Sequence, residues 1–76
     1  MGGESWIEQA LVRYEGKLVR YALGFTGDLE VARDVVQDAF LKLCRQDRAR
    51  VENHLAAWLY TVCRNRALDI LRREGR

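Results

Sequence analysis

Residues 54–73 read HLAAWLYTVCRNRALDILRR, twenty positions without proline or glycine and rich in residues that lose little on entering a helix. Leu55, Trp58, Leu59, Val62 and Ile70 recur mostly at three- and four-residue steps, with Cys63 at the margin of that stripe. At about 100° per residue, Thr61, Arg64, Asn65, Leu68 and Arg72 fall together on the other side. A helical period sustained over five turns predicts one amphipathic helix, and Asn53 is its expected N-cap.

Working back from that helix, Gln46–Asn53 (QDRARVEN) breaks the period and offers almost nothing to bury. It reads as a surface loop from which Arg48 and Arg50 hang. The stretch before it is regular again: Ala32, Val35, Val36, Ala39, Phe40 and Leu43 form a core stripe, and Asp28 is placed to cap the helix, with Glu30 near the positive end of its dipole. The opposite face of this second helix carries Asp34, Gln37, Asp38, Leu41 and Arg45. Leu41 therefore stands exposed among polar neighbours, either as an ordinary surface leucine or as an anchor for a partner helix.

Ser5-Trp6-Ile7-Glu8 has the form of a capping box and starts a first helix. Its stripe is Ile7, Ala10, Leu11, Tyr14, Leu18, Tyr21, Ala22 and Phe25, and Gly27 supplies a left-handed end. Gly16, inside the helix, marks a close backbone contact or a local break. Three helices and 76 residues without a proline predict a small all-α domain: a long helix one, helix two, then helix three after a surface loop.

The net charge of +2 conceals an asymmetry. Residues 1–44 hold five cations against seven acids, whereas residues 45–76 hold eight cations, all arginine, against four acids. Arginine's planar fork fits phosphate and stacks on bases, so the two parts suggest partners of different charge, set against the alternative of a salt-bridged, solvated surface. Cys44 and Cys63 lack metal-ligand spacing and read as buried, reduced thiols; neither a metal nor a cofactor is expected. No apolar run is long enough to cross a membrane, and Met1-Gly2-Gly3-Glu4 lacks the form of a signal peptide, so the expected location is cytoplasmic. One histidine, no glycine-rich phosphate loop and no nucleophile-base pair argue against an enzyme.

Nucleic-acid binding has more support. Thr61 and Asn65 lie one turn apart, and an asparagine amide can make two hydrogen bonds to one base edge. Arg64, Arg66, Arg72, Arg73 and Arg76 can follow phosphates in the same region. Trp58 and Tyr60 offer flat faces for an unpaired base, although Trp58 sits on the edge of the core stripe and reads first as packing.

Taken in order, Tyr14, Tyr21-Ala22, Thr26-Gly27-Asp28, the run from Ala32 to Phe40 (ARDVVQDAF), Ala57-Trp58-Leu59-Tyr60 and the run from Arg64 to Arg73 (RNRALDILRR) resemble region 2 of bacterial sigma factors, most closely the extracytoplasmic-function group. The likeness covers about Glu8 to Arg76, and residues 1–76 are read as one such domain without a region 4. The resemblance implies a transcription initiation domain that binds RNA polymerase core and recognises and melts the -10 promoter element. Asp34, Gln37, Asp38 and Leu41 match the face that docks on the β′ clamp helices. The third helix and the loop before it match the part that holds the non-template strand, through Arg48, Arg50, Thr61, Arg64, Asn65, Arg66, Arg72 and Arg73, with Asn65 at a base-contacting position. The loop of the family accepts a flipped base in a pocket, and this chain departs from many relatives in having no aromatic residue there. An anti-sigma factor that covers these faces is a further implied partner. Without a tethered second site, affinity for promoter DNA alone is expected to be weak.

Two other readings stand beside this one. A helical interaction module would use Leu41 and the acids around it to hold a protein and would not touch DNA. A helix-turn-helix reader of duplex DNA fits less well, because its signature is a short turn where this chain has eight loop residues.

Overall fold

The computed structural model describes residues 5–74; Met1–Glu4, which lack the form of a signal peptide, and Arg76, expected to contact a phosphate, lie outside them. Helix α1 spans Trp6–Thr26, α2 Leu29–Cys44, α3 Arg48–Val51 and α4 Leu55–Arg73, with a 3-10 turn at Glu52–His54. No strand occurs among the described residues, and α1, α2 and α4 each pack against the other two.

The expected capping box is present. Glu8 N–H donates to Ser5 Oγ at 3.2 Å, and Ser5 N–H to Glu8 Oε1 at 3.0 Å. At its other end α1 closes on Gly27, whose φ of 69° lies in the left-handed region where a β-carbon is disfavoured, and whose N–H reaches Leu23 O at 2.8 Å. Thr26 is buried here: its hydroxyl donates to Asp28 O and accepts from Asp28 N–H. Asp28 then caps α2, accepting from the amides of Glu30 and Val31. This turn is so short that α2 must fold straight back along α1. Gly16 marks neither a contact nor a break, since α1 is continuous through it and nothing lies within 4 Å of where its β-carbon would be.

All six residues of the α2 stripe are buried. In α4 the stripe is rotated from the expected one. Its fully buried residues are Leu59, Cys63 and Ala67, while Leu55, Trp58, Val62 and Ile70 flank the core and are partly buried. Helix α4 packs against both α1 and α2, and two of its three fully buried positions carry the small side chains of Cys63 and Ala67. A reading that ranks positions by hydrophobic bulk underweights them. Tyr60 belongs to an edge-to-face set in which Tyr21 meets Phe25 at 5.2 Å and Tyr60 at 4.9 Å, which ties α1 to α4.

Only Gln46 and Asp47 of the expected 46–53 loop are irregular; from Arg48 onward the segment is helical. Asp47 caps α3 by accepting from Ala49 N–H at 3.1 Å, Arg48 pairs with Glu52, and Val51 is buried in the common core. A single turn with one apolar residue carries no measurable period, so the pattern there is silent. Asn53 is not the N-cap of α4 either. The chain enters α4 directly from the 3-10 turn, His54 holds the cap position, and no side chain caps it. Cys44 also departs from expectation: it stands exposed at the end of α2, one residue beyond Leu43, where the packing stops.

Candidate nucleic-acid and protein-docking faces

Helix α4 turns Thr61, Arg64, Asn65, Arg72 and Arg73 outward, all exposed, so its outer face carries the residues expected there. Thr61 and Asn65 are separated by one turn, about 6 Å along the axis. Leu68 beside them is partly buried. Arg48 and Arg50 stand exposed on α3, just before α4 begins. Neither Trp58 nor Tyr60 is a free stacking plate, since both pack on the core.

Arg66 differs from the other arginines. It is turned toward α2, with its side chain 32% exposed, and its Nε donates to Asp38 Oδ2 at 3.0 Å. Its Nη1 donates to Asp69 Oδ2 at 3.4 Å. Asp69 also pairs with Arg73 at 3.3 Å and Arg72 at 3.6 Å. A residue expected on the docking face and one expected on the strand-holding face are thus joined to each other. Helix α2 still leaves Asp34, Gln37 and Leu41 exposed.

Two features of these faces were not legible in the sequence. Beside Leu41, a groove of about 310 Å³ between α1 and α2 is lined by Leu11, Glu15, Val36, Gln37 and Phe40. Near the start of α4, a cleft of about 430 Å³ is bounded by Trp6, Arg13 and Tyr14 of α1 and by Arg48, Asn53 and His54. The Arg48 guanidinium lies 5.6 Å over the Trp6 ring, and Arg13 lies at the same distance over Tyr14. Both the groove and the cleft join residues more than twenty positions apart, which no local pattern signals.

Among the described residues no group of His, Cys, Asp and Glu is gathered to hold a metal ion, and no buried side-chain polar atom lacks a partner. Burial pushes the Cys63 thiol up to about 11 from 9.0, which makes it a poor nucleophile. No described helix is long and apolar enough to cross a membrane. The helical turn at 48–54 removes the loop-length argument against a helix-turn-helix, but α3, at four residues, is about 6 Å long and too short to lie along a major groove.

The domain is all-helical, with a basic outer helix and an acidic face around one exposed leucine. The Sigma-70 region 2 family model matches residues 11–76, and the chain belongs to that family. It is 38% identical over 79 residues to the ECF RNA polymerase sigma factor SigL of Mycobacterium tuberculosis, in strains H37Rv, CDC 1551 and Erdman alike. That alignment takes in 91% of this chain and 43% of the relative, so the chain spans under half the length of the curated proteins it matches. No solved structure matches it.

Proposed function

We propose that this domain docks on RNA polymerase core through α2 and, so placed, recognises and melts the -10 promoter element by holding its non-template strand on α4. The observation that carries the reading is the separation of two exposed faces on two helices that share one core: Asp34, Gln37 and Leu41 on α2, and Thr61, Arg64 and Asn65 on α4. Family membership and the likeness to SigL support the class of function.

In this reading Leu41 buries against the β′ clamp helices while Asp34, Gln37 and Asp38 meet polar and basic groups around it. Asn65 and Thr61 contact base edges, and Arg48, Arg50, Arg64, Arg72 and Arg73 neutralise phosphates. The cleft beside Arg48 and Asn53 gives an unstacked base a place to lodge next to the 46–53 segment, recovering the few kcal/mol that unstacking costs. An anti-sigma protein would act by covering either face.

The test separates the faces. Asp34→Arg is expected to abolish capture of core polymerase in a pull-down and to leave the fold intact. Asn65→Ala is expected to retain polymerase and to lose promoter opening, read by permanganate reactivity of unpaired thymines. Equal effects of both changes on polymerase affinity would overturn the division. Absence of salt-dependent binding to a -10-like single strand, even with polymerase present, would favour a protein-interaction module instead.

A further inference from the structure

The last two turns of α4 hold a connected set of charges. Asp38 on α2 fixes Arg66, Arg66 fixes Asp69, and Asp69 lies within 3.6 Å of both Arg72 and Arg73. The inner members are sheltered, with side chains 32% exposed at Arg66 and 34% at Asp69, and the outer pair is largely in water. Arg66 spends two of its donors on carboxylates. Its position is thereby set by α2 and by its own helix rather than by a strand outside.

We infer that Asp69 is a positioning residue for phosphate capture: held from α2 through Arg66, its carboxylate sets the Arg72 and Arg73 guanidinia together to receive one backbone phosphate. The inference rests on the strand-holding role proposed above. Arg72 and Arg73 are consecutive, so their side chains leave the helix about 100° apart. Asp69, three and four residues earlier, lies between those directions and is reached by both. Without it two like charges repel and each long side chain samples its rotamers independently, an entropy that must then be lost on binding. With it the two forks converge, and a phosphodiester that takes the donors Asp69 leaves unused finds both guanidinia in one place. The ligand chemistry is a phosphodiester on a single strand, so the contribution should not depend on base sequence.

Simple electrostatics and this reading make opposite statements about Asp69→Asn. Removing an acid from a DNA-binding face strengthens binding if Asp69 is only a charge. A positioning role weakens it. With a labelled single-stranded -10-like oligonucleotide and polymerase core, Asp69→Asn is expected to bind roughly three- to tenfold more weakly, and a scrambled oligonucleotide should show the same fold loss. The slope of log affinity against log salt should become shallower by about one phosphate contact, near 0.7 for a single strand. Asp69→Glu, which keeps the carboxylate, should stay within about twofold of the parent. Arg66→Lys, which keeps the charge but not the fork that joins two carboxylates, should weaken binding in the same direction, and serves as the second variant if Asp69→Asn does not fold. Equal or tighter binding by a folded Asp69→Asn, or unchanged binding by Arg66→Lys, overturns the inference alone. No salt-dependent binding by the unmodified chain overturns the proposed function and the inference together. An inorganic phosphate competitor at matched ionic strength should displace the oligonucleotide poorly, and equal displacement would assign the site to free anions.

Discussion

Leu41 and Leu43 are two residues apart on one helix and should fail in opposite ways when cut to alanine. Leu41 is 62% exposed and Leu43 is 0% exposed. Full burial of a leucine side chain is worth about 1.5–3 kcal/mol, so the surface Leu41 still holds in water leaves about 1–2 kcal/mol to be gained on docking. Leu41→Ala should therefore raise the dissociation constant for core polymerase about five- to thirtyfold. Its effect on folding should be under about 1 kcal/mol, since little packing is lost and alanine favours the helix. Leu43→Ala removes buried methyl groups and leaves a cavity, at a cost of about 2–5 kcal/mol. Against the ~4–11 kcal/mol that a chain of this length commonly holds, that is a large fraction. Fluorescence anisotropy of the labelled domain titrated with core polymerase reads the first quantity, and urea unfolding reads the second. The reasoning is refuted if Leu41→Ala leaves polymerase affinity unchanged, or if it destabilises the domain as much as Leu43→Ala does.

Other changes test the fold around the site. Gly16→Ala and Gly24→Ala lie in an unbroken helix with open space at the new β-carbon, and each should stabilise by about 0.5–1 kcal/mol in thermal unfolding. Gly27→Ala, at a φ of 69°, should instead cost about 1–2 kcal/mol, and a gain there would contradict the left-handed turn. A maleimide reagent should label Cys44 alone in the native protein and reach Cys63 only on unfolding; rapid double labelling would refute the burial of Cys63. Because burial raises the Cys63 thiol to about 11 from 9.0, the folded chain keeps that proton to higher pH than the unfolded one. Its contribution to stability is whole below pH 9 and is lost as pH rises toward 11, so the stability of Cys63→Ala should fall less steeply across that window.

Much of the domain was legible because its signals are local. The Ser5–Glu8 capping box, the Asp28 cap, the Gly27 turn and the six-residue stripe of α2 each depend on residues a few positions apart, and each is found where the spacing places it. The exposed residues of α4 and Leu41 of α2 follow from the same periodicity. The misread parts are those that depend on a neighbour. Arg48–Val51 is helical because Asp47 caps a turn whose one apolar residue, Val51, finds the core. Cys63 and Ala67 are fully buried on a helix that packs against two others, and a ranking by hydrophobic bulk places neither of them ahead of Trp58 or Ile70.

The amino-acid sequence by itself determined the three long helices, the caps of the first two and the faces they offer to water, since helical periodicity and capping act over one or two turns. Its ordered motifs also determined the family. Tertiary structure alone decided how the charges are shared between those faces. Arg66, one more cation on a basic helix when read in sequence, is drawn to Asp38 from 28 positions away, and through Asp69 it reaches the arginines at the helix end. Coulombic pairing depends on distance in space, and only the packing of α4 against α2 brings those groups within 3.0 Å.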